Sequence, residues 1–231
     1  MWPSNATDLV RAQRELAVLR PPLWQPASAP PRVGACYVCF ARGEASRGRT
    51  GERGWAAAVL MRGNRGLVES AVAAGAAGAP YEPGLLALRE GPLLAAAVGL
   101  LAEAPEVLLV DATGRDHPRA AGLALHLGAV LDLPSIGVTD RSLQAEGPEP
   151  GPDAGAASSL VLDGVEVAGL LRTRAGARPV VVHPGWRTDL ETASAVVRAS
   201  TRRARTPEPL RRARQLARYA RAAAEAVGGY Q

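Results

Sequence analysis

The chain has 231 residues and a mass of 23.9 kDa, the size of one ordinary domain. With 47% hydrophobic and 21% charged residues it can bury a core, which excludes wholesale disorder. All 27 basic residues are Arg, which excludes lysine as base, Schiff-base former or phosphate ligand, and the net charge of +5 is uneven: residues 198–225 carry nine Arg against two Glu.

Met1–Arg20 is amphipathic and charged, not a basic stretch followed by an apolar core, and no apolar run reaches the roughly 18 residues of a membrane helix. A soluble cytoplasmic protein without membrane attachment, by default a monomer, is therefore expected. Leu9–Leu19 reads as a short amphipathic helix and Pro21–Pro31 as a connector. Three strand-like runs follow, Val33–Phe40, Gly54–Met61 and Leu67–Ala73, separated by Gly/Arg-rich turns at 42–53 and 62–66. They suggest an antiparallel meander. The cluster Ala79-Pro-Tyr-Glu-Pro-Gly84 precedes a helical stretch from Leu85 to Ala104, which Pro92 should kink or restart. Glu106–Ala112 is a continuous apolar run ending in an acid, the pattern of a buried strand. His117–Asp132 reads as a helix opened by Pro118, and Ser135–Thr139 as a short strand. After a loop over 144–157, Leu160–Asp163 and Val165–Arg172 form a hairpin about Gly164, and Val180–His183 is a last strand. Thr188 or Asp189 caps a helix through Ala199, and Pro207 opens a final helix towards Val227. The order predicts one α/β domain with a mixed sheet flanked by helices, compatible with a ribonuclease-H-like architecture. Residues 1–32 would be its N-terminal helix and connector, and 207–231 its basic C-terminal helix.

Asp111 stands directly after Val107-Leu-Leu-Val110, at the end of a strand where open α/β sheets bind ligands. A carboxylate there suits a hard cation, and equally suits a helix cap or turn. Glu90 is a second ligand aimed at the same place or a solvated helix residue, and His117 a proton-transfer group or a surface histidine. Cys36 and Cys39 form a C-x-x-C on a strand, where residues three apart point to opposite faces, so they are core residues rather than a metal or redox pair. Arg211, Arg214, Arg218 and Arg221 share one face of the last helix, either gripping phosphates or merely solvated.

Pro80-Tyr81-Glu82-Pro83-Gly84-Leu85-Leu86, Arg89-Glu90, Leu109-Val110-Asp111-Ala112-Thr113-Gly114 and His117-Pro118-Arg119, in that order, resemble the endonuclease V family. The likeness continues through Gly122–Gly128, Asp132–Val138 and Pro207-Glu208-Pro209, with Arg11-Ala12-Gln13 upstream. The resemblance implies a ribonuclease-H-like fold and a nuclease directed at deoxyinosine in DNA repair. It makes Glu90 and Asp111 catalytic ligands of Mg2+ or Mn2+. Tyr81, on a turn stiffened by Pro83 and Gly84, would be the wedge beside the lesion, with His117 and Arg119 close by. Gly114 and Gly137 would lie at the pocket for the flipped base.

The resemblance also marks departures. The family's first-strand Asp falls on Cys36 or Tyr37, neither of which suits Mg2+. The lysine expected after Ile136-Gly-Val138 is replaced at Asp140, and the late Gly-His reads Gly185-Trp186. Asp140, Asp189 and Glu191 are the acids available to compensate, although Asp189 and Glu191 also fit the first turn of a helix. Two functions follow from the likeness: a metal-dependent phosphodiesterase cutting near deoxyinosine, or a homologue that binds inosine-containing or other nucleic acid, DNA or RNA, without cutting. An interaction protein with no nucleic-acid role is the third alternative.

Overall fold

A strand that is apolar at every position has to be covered on both sides, and Val107–Val110 lies accordingly in the middle of the sheet with all four residues buried. The computed structural model describes residues 2–27, 30–42, 47–62 and 66–228. In chain order its elements are α1 (Ala6–Val18), β1 (Arg32–Phe40), β2 (Arg53–Arg62), β3 (Gly66–Ala76), α2 (Leu86–Gly99), β4 (Val107–Val110), α3 (Leu123–Leu131), β5 (Ser135–Thr139), β6 (Ala157–Leu162), β7 (Val165–Leu171), β8 (Val180–Pro184), α4 (Leu190–Ala199) and α5 (Glu208–Gly228). The eight strands form one mixed sheet in the order β3-β2-β1-β4-β5-β8-β7-β6. The expected meander is present: β1, β2 and β3 pair antiparallel. β4 then adds parallel to β1, and β5 parallel to β4, so the carboxyl ends of these three strands lie together. The turns expected at 42–53 and 62–66 fall partly outside the described residues.

Alternation along β1 and β4 sorts the core into two layers. Cys36, Val38, Leu108 and Val110 pack with Leu9 of α1, Leu88 and Leu94 of α2, and Leu123 and Leu127 of α3. Val33, Ala35, Val107 and Leu109 pack on the other face with Val196 and Val197 of α4 and Leu210 and Ala213 of α5. The two cysteines are divided as the strand period requires, because Cys39 lies under Ala217 of α5.

Several elements differ from expectation: α2 ends at Gly99 rather than Ala104, and β3 runs on to Ala76. Pro92 does not restart α2, which runs through it. Proline cannot donate to the carbonyl of Leu88 one turn earlier, and Gly78 packs against that carbonyl so closely that a Cβ there would stand 2.3 Å from its oxygen. The helix expected from His117 begins only at Leu123, because Ala120 takes a left-handed φ of 50° and His117 to Arg119 are held in a loop. Strand β6 starts at Ala157, three residues before the expected position, and Glu146 bridges to its Val161.

All three histidines are buried, and burial drives each one's pKa down to about 4. His126 stacks on Trp2 at 4.9 Å with its Nδ1 unpartnered. A group whose pKa is lower folded than unfolded takes up its proton first in the unfolded chain, so stability is lost as pH falls from 6.5 towards 4. His126→Phe, which keeps the stack and removes the titration, should make urea-unfolding stability fall less steeply over that window, by about 1.4 kcal/mol per pH unit. An unchanged slope would exclude His126 as a source of the acid sensitivity.

Candidate functional site

Beyond the carboxyl ends of β1, β4 and β5 lie two adjoining hollows. The larger, about 480 Å³, is walled by Pro83, Gly84, Ala112, Leu123 and Leu143, with Gln13, Thr113, Thr139 and Gln144 as its polar points. The smaller, about 250 Å³, holds Cys36, Glu90 and Asp111. Tyr81, Leu86 and Asp111 border both.

The Tyr81 turn is held by an unusual concentration of hydrogen bonds on one atom. Leu85 N–H donates to the Glu82 carbonyl at 3.0 Å, closing a turn with Pro83 and then Gly84 at its centre, and Gly84 has the φ of 77° that such a turn demands. The outward Gly84 carbonyl accepts from Gln13 Nε2 at 3.1 Å, Arg119 Nη2 at 2.6 Å and His117 Nε2 at 3.2 Å. Arg119 also donates through Nε to Gln13 Oε1 at 2.5 Å, while His117 Nδ1 accepts the Arg119 backbone N–H at 3.2 Å. These bonds assign His117 the neutral tautomer with its proton on Nε2. Burial and the Arg119 charge, which depress its pKa to about 4, maintain that form. His117 and Arg119 are thus clamps on the turn, and the clamp leaves the Tyr81 ring 45% exposed at the mouth of both hollows.

The acids meet as expected but in different company. Glu90, on the α2 side, is partly buried, and burial together with the Asp111 carboxylate pushes its pKa up to about 8 against the opposing pull of Arg89. Both first-strand candidates border the smaller hollow: Cys36 lies fully buried at its floor, and Tyr37 also packs towards α5. Burial, Glu90 and Asp111 raise the Cys36 thiol far above the ordinary range, keeping it neutral. Asp111 accepts a hydrogen bond from Arg214 Nη2 at 2.8 Å. Asp140, at the end of β5, is paired with Arg205. A hard divalent cation needs several anionic or carbonyl oxygens. Here Asp111 already has a guanidinium on it, and the first strand offers Cys36 and Tyr37 at this hollow rather than a carboxylate. The side chains present do not fit a resident Mg2+ or Mn2+, and among the described residues no three His, Cys, Asp or Glu side chains are grouped to hold a metal ion.

The remaining candidates are distributed. Gly114 and Gly137 face protein backbone: a Cβ would come within 2.2 Å of the Pro184 carbonyl oxygen and 2.1 Å of that of Ala112, respectively, and neither lines a hollow. Of the Arg stripe, Arg211 pairs with Glu208, Arg218 lies 5.9 Å from the centre of the Tyr37 ring, and Arg221 donates to the Phe40 carbonyl. Gly185-Trp186 lies at the opposite end of β5, where Trp186 N–H donates to Ser135 Oγ, so its side chain has no bearing on the acids. Asp189 caps α4 at that same far end and compensates for nothing at Asp111. Residues not foreseen include Gln13, a buried polar side chain on the apolar face of α1, and Asp116. The fully buried Asp116 carboxylate accepts the backbone N–H groups of Leu143, Gln144 and Ala145 at 2.6, 2.8 and 2.9 Å, fixing one wall of the larger hollow.

Comparison with known proteins shows the family and the fold. The endonuclease V family model matches residues 32–215. Endonuclease V of Thermus thermophilus is 48% identical over 134 residues, 57% of this chain and 59% of that protein, so the chain spans less than two thirds of that relative's length. The crystal structure of endonuclease V from Streptomyces avermitilis superposes with a TM-score of 0.84 and 35% identity, over 97% of this chain and 96% of that one. That of Ciona intestinalis endonuclease V, in complex with a 24mer DNA containing an inosine followed by a ribo-adenosine, shares the fold with a TM-score of 0.79 and 23% identity, over 92% and 96% of the two chains. The fold is thus the ribonuclease-H-like one expected.

Asp116→Asn turns one acceptor into a donor opposite three N–H groups and should destabilise the chain by about 2 kcal/mol in urea titrations. It should also speed amide hydrogen exchange at Leu143, Gln144 and Ala145. Unchanged exchange at these three amides would show that the wall is held by other contacts.

Proposed function

The chain belongs to the endonuclease V family, and from that premise we propose that it binds inosine-containing nucleic acid, DNA in the first place, across the carboxyl ends of β1, β4 and β5. The observation that carries this reading is the Gly84 clamp. A rigid turn presents an aromatic ring at the mouth of a cavity whose walls are apolar and whose few polar points converge, the environment in which an extruded base is stacked and read by its edge. In this reading Tyr81 fills the gap left in the strand, and Thr113, Thr139, Gln13 and Gln144 are the groups within reach of a base. Arg211 and Arg218 on α5 meet the backbone phosphates.

Strand retention without metal-dependent cutting is the activity that the residues at the acidic end support. The cutting alternative is supported by membership of the endonuclease V family and by Glu90 and Asp111 bordering the same hollow.

Fluorescence anisotropy on single strands with and without one inosine should show preferential, salt-sensitive binding of the inosine strand. Tyr81→Ala should weaken it about tenfold, the scale of one lost stacking contact. Equal binding of both strands would sink the inosine reading. A nicking assay in Mg2+ or Mn2+ should leave the strands intact; metal-dependent cleavage 3′ to inosine, lost in Asp111→Asn, would instead establish the cutting alternative.

A further inference from the structure

The pairing at Asp111 has a consequence beyond retention of a strand, and it rests on the reading of this hollow as a nucleic-acid site. Arg214 is not a surface arginine that happens to swing past a carboxylate. Its backbone position is set by Leu210, Ala213 and Ala217, which are 2%, 0% and 0% exposed against the sheet. Its guanidinium carbon lies 5.2 Å from the centre of the Tyr37 ring, so the π-face holds the planar group from one side while Asp111 holds it in the plane. Its Nε is buried without a partner. A guanidinium cannot be discharged at any ordinary pH, so the positive charge at Asp111 is permanent. The opposite wall offers a fully buried Cys36, so no second anion is set beside Asp111 from the first strand to draw in an ion.

We propose that the Arg214 guanidinium, fixed by α5 between Asp111 and the Tyr37 ring, is the resident cation of this site, so that the chain holds a nucleic-acid strand without a divalent ion and keeps one off Asp111. The charge logic is a substitution. Where an oxygen cage would collect a dication and offer it to a backbone phosphate, this chain offers a fixed monocation whose Nη2 is engaged by Asp111 and whose side chain is about one third exposed.

The test measures ion binding directly, with Mn2+ as the probe and the electron paramagnetic resonance of free Mn2+ as the signal. The wild-type chain should show no saturable site tighter than ~1 mM, the weak end of built divalent-cation sites. Arg214→Gln, which removes the charge and leaves Asp111 free, should bind Mn2+ at least tenfold more tightly. Equal or weaker binding by that variant overturns the proposal. Should Arg214→Gln not fold, wild type and Asp111→Asn decide the matter. Indistinguishable Mn2+ isotherms support Arg214 as the resident cation, and a wild-type site lost in Asp111→Asn overturns it. Retention of the inosine strand by wild type should be the same in EDTA and in Mg2+, and retention that requires the ion also overturns the proposal. Absence of retention under both conditions is a separate outcome. It removes the strand-holding part of the proposal together with the function it rests on, while the Mn2+ comparison still decides which cation Asp111 holds.

Discussion

The Gly84 carbonyl oxygen is where three distant parts of the chain meet. Gln13 arrives from the N-terminal helix, His117 and Arg119 from the loop after β4, and the carbonyl itself from the turn before α2. Buried carbonyls carry two lone pairs and rarely take three donors. The crowding is tolerable because one of the donors is charged and the neutral histidine adds no second charge beside Arg119. The shape of the larger hollow follows from this one atom. The turn forms its rim, the loop forms its back, and α1 is pressed against both by a side chain that is 1% exposed.

A second constraint acts at the acidic end. Two carboxylates and a thiol beside one another repel unless some positive charge is brought in or a proton is kept. Both solutions are present. Arg214 neutralises Asp111, and Glu90, deprived of water, is pushed towards its neutral form. The absence of lysine makes the first solution irreversible with pH, since an ammonium in the same place could lose its proton on burial and a guanidinium does not. Asp140 and Arg205 form a similar pair nearby, so two carboxylates at this end of the sheet are balanced by ion pairs within the chain.

Much of this was legible in the sequence where the signal is local. Continuous apolar runs located β1, β4 and β5, and an acid ending such a run placed Asp111 beyond the sheet. The strand period alone put the two cysteines on opposite faces. What escaped depends on chain segments that meet only after folding. Arg214 and Asp111 are 103 residues apart, and Asp116 finds its three N–H donors 27 to 29 residues downstream. Pro118 is a good first residue for a helix, yet the hydrogen bonds of its neighbours to Gly84 and the left-handed Ala120 hold the segment as a loop. The position of Gly185-Trp186 follows from β8 running antiparallel to β5, a fact of pairing that carries its end away from the acids. Whether a glycine faces a ligand or a neighbouring carbonyl was equally invisible, as Gly114 and Gly137 illustrate.

The division of the two thiols between the layers gives the molecule a built-in pair of reporters. Cys36 is packed among the helices of one face and Cys39 under α5 on the other, and both are buried. Departure of α5 would uncover Cys39 and leave Cys36 shielded, whereas withdrawal of α1–α3 would do the reverse, and only complete opening would present both at one rate. The sulfur atoms therefore distinguish, without any engineered probe, which side of the sheet comes apart first.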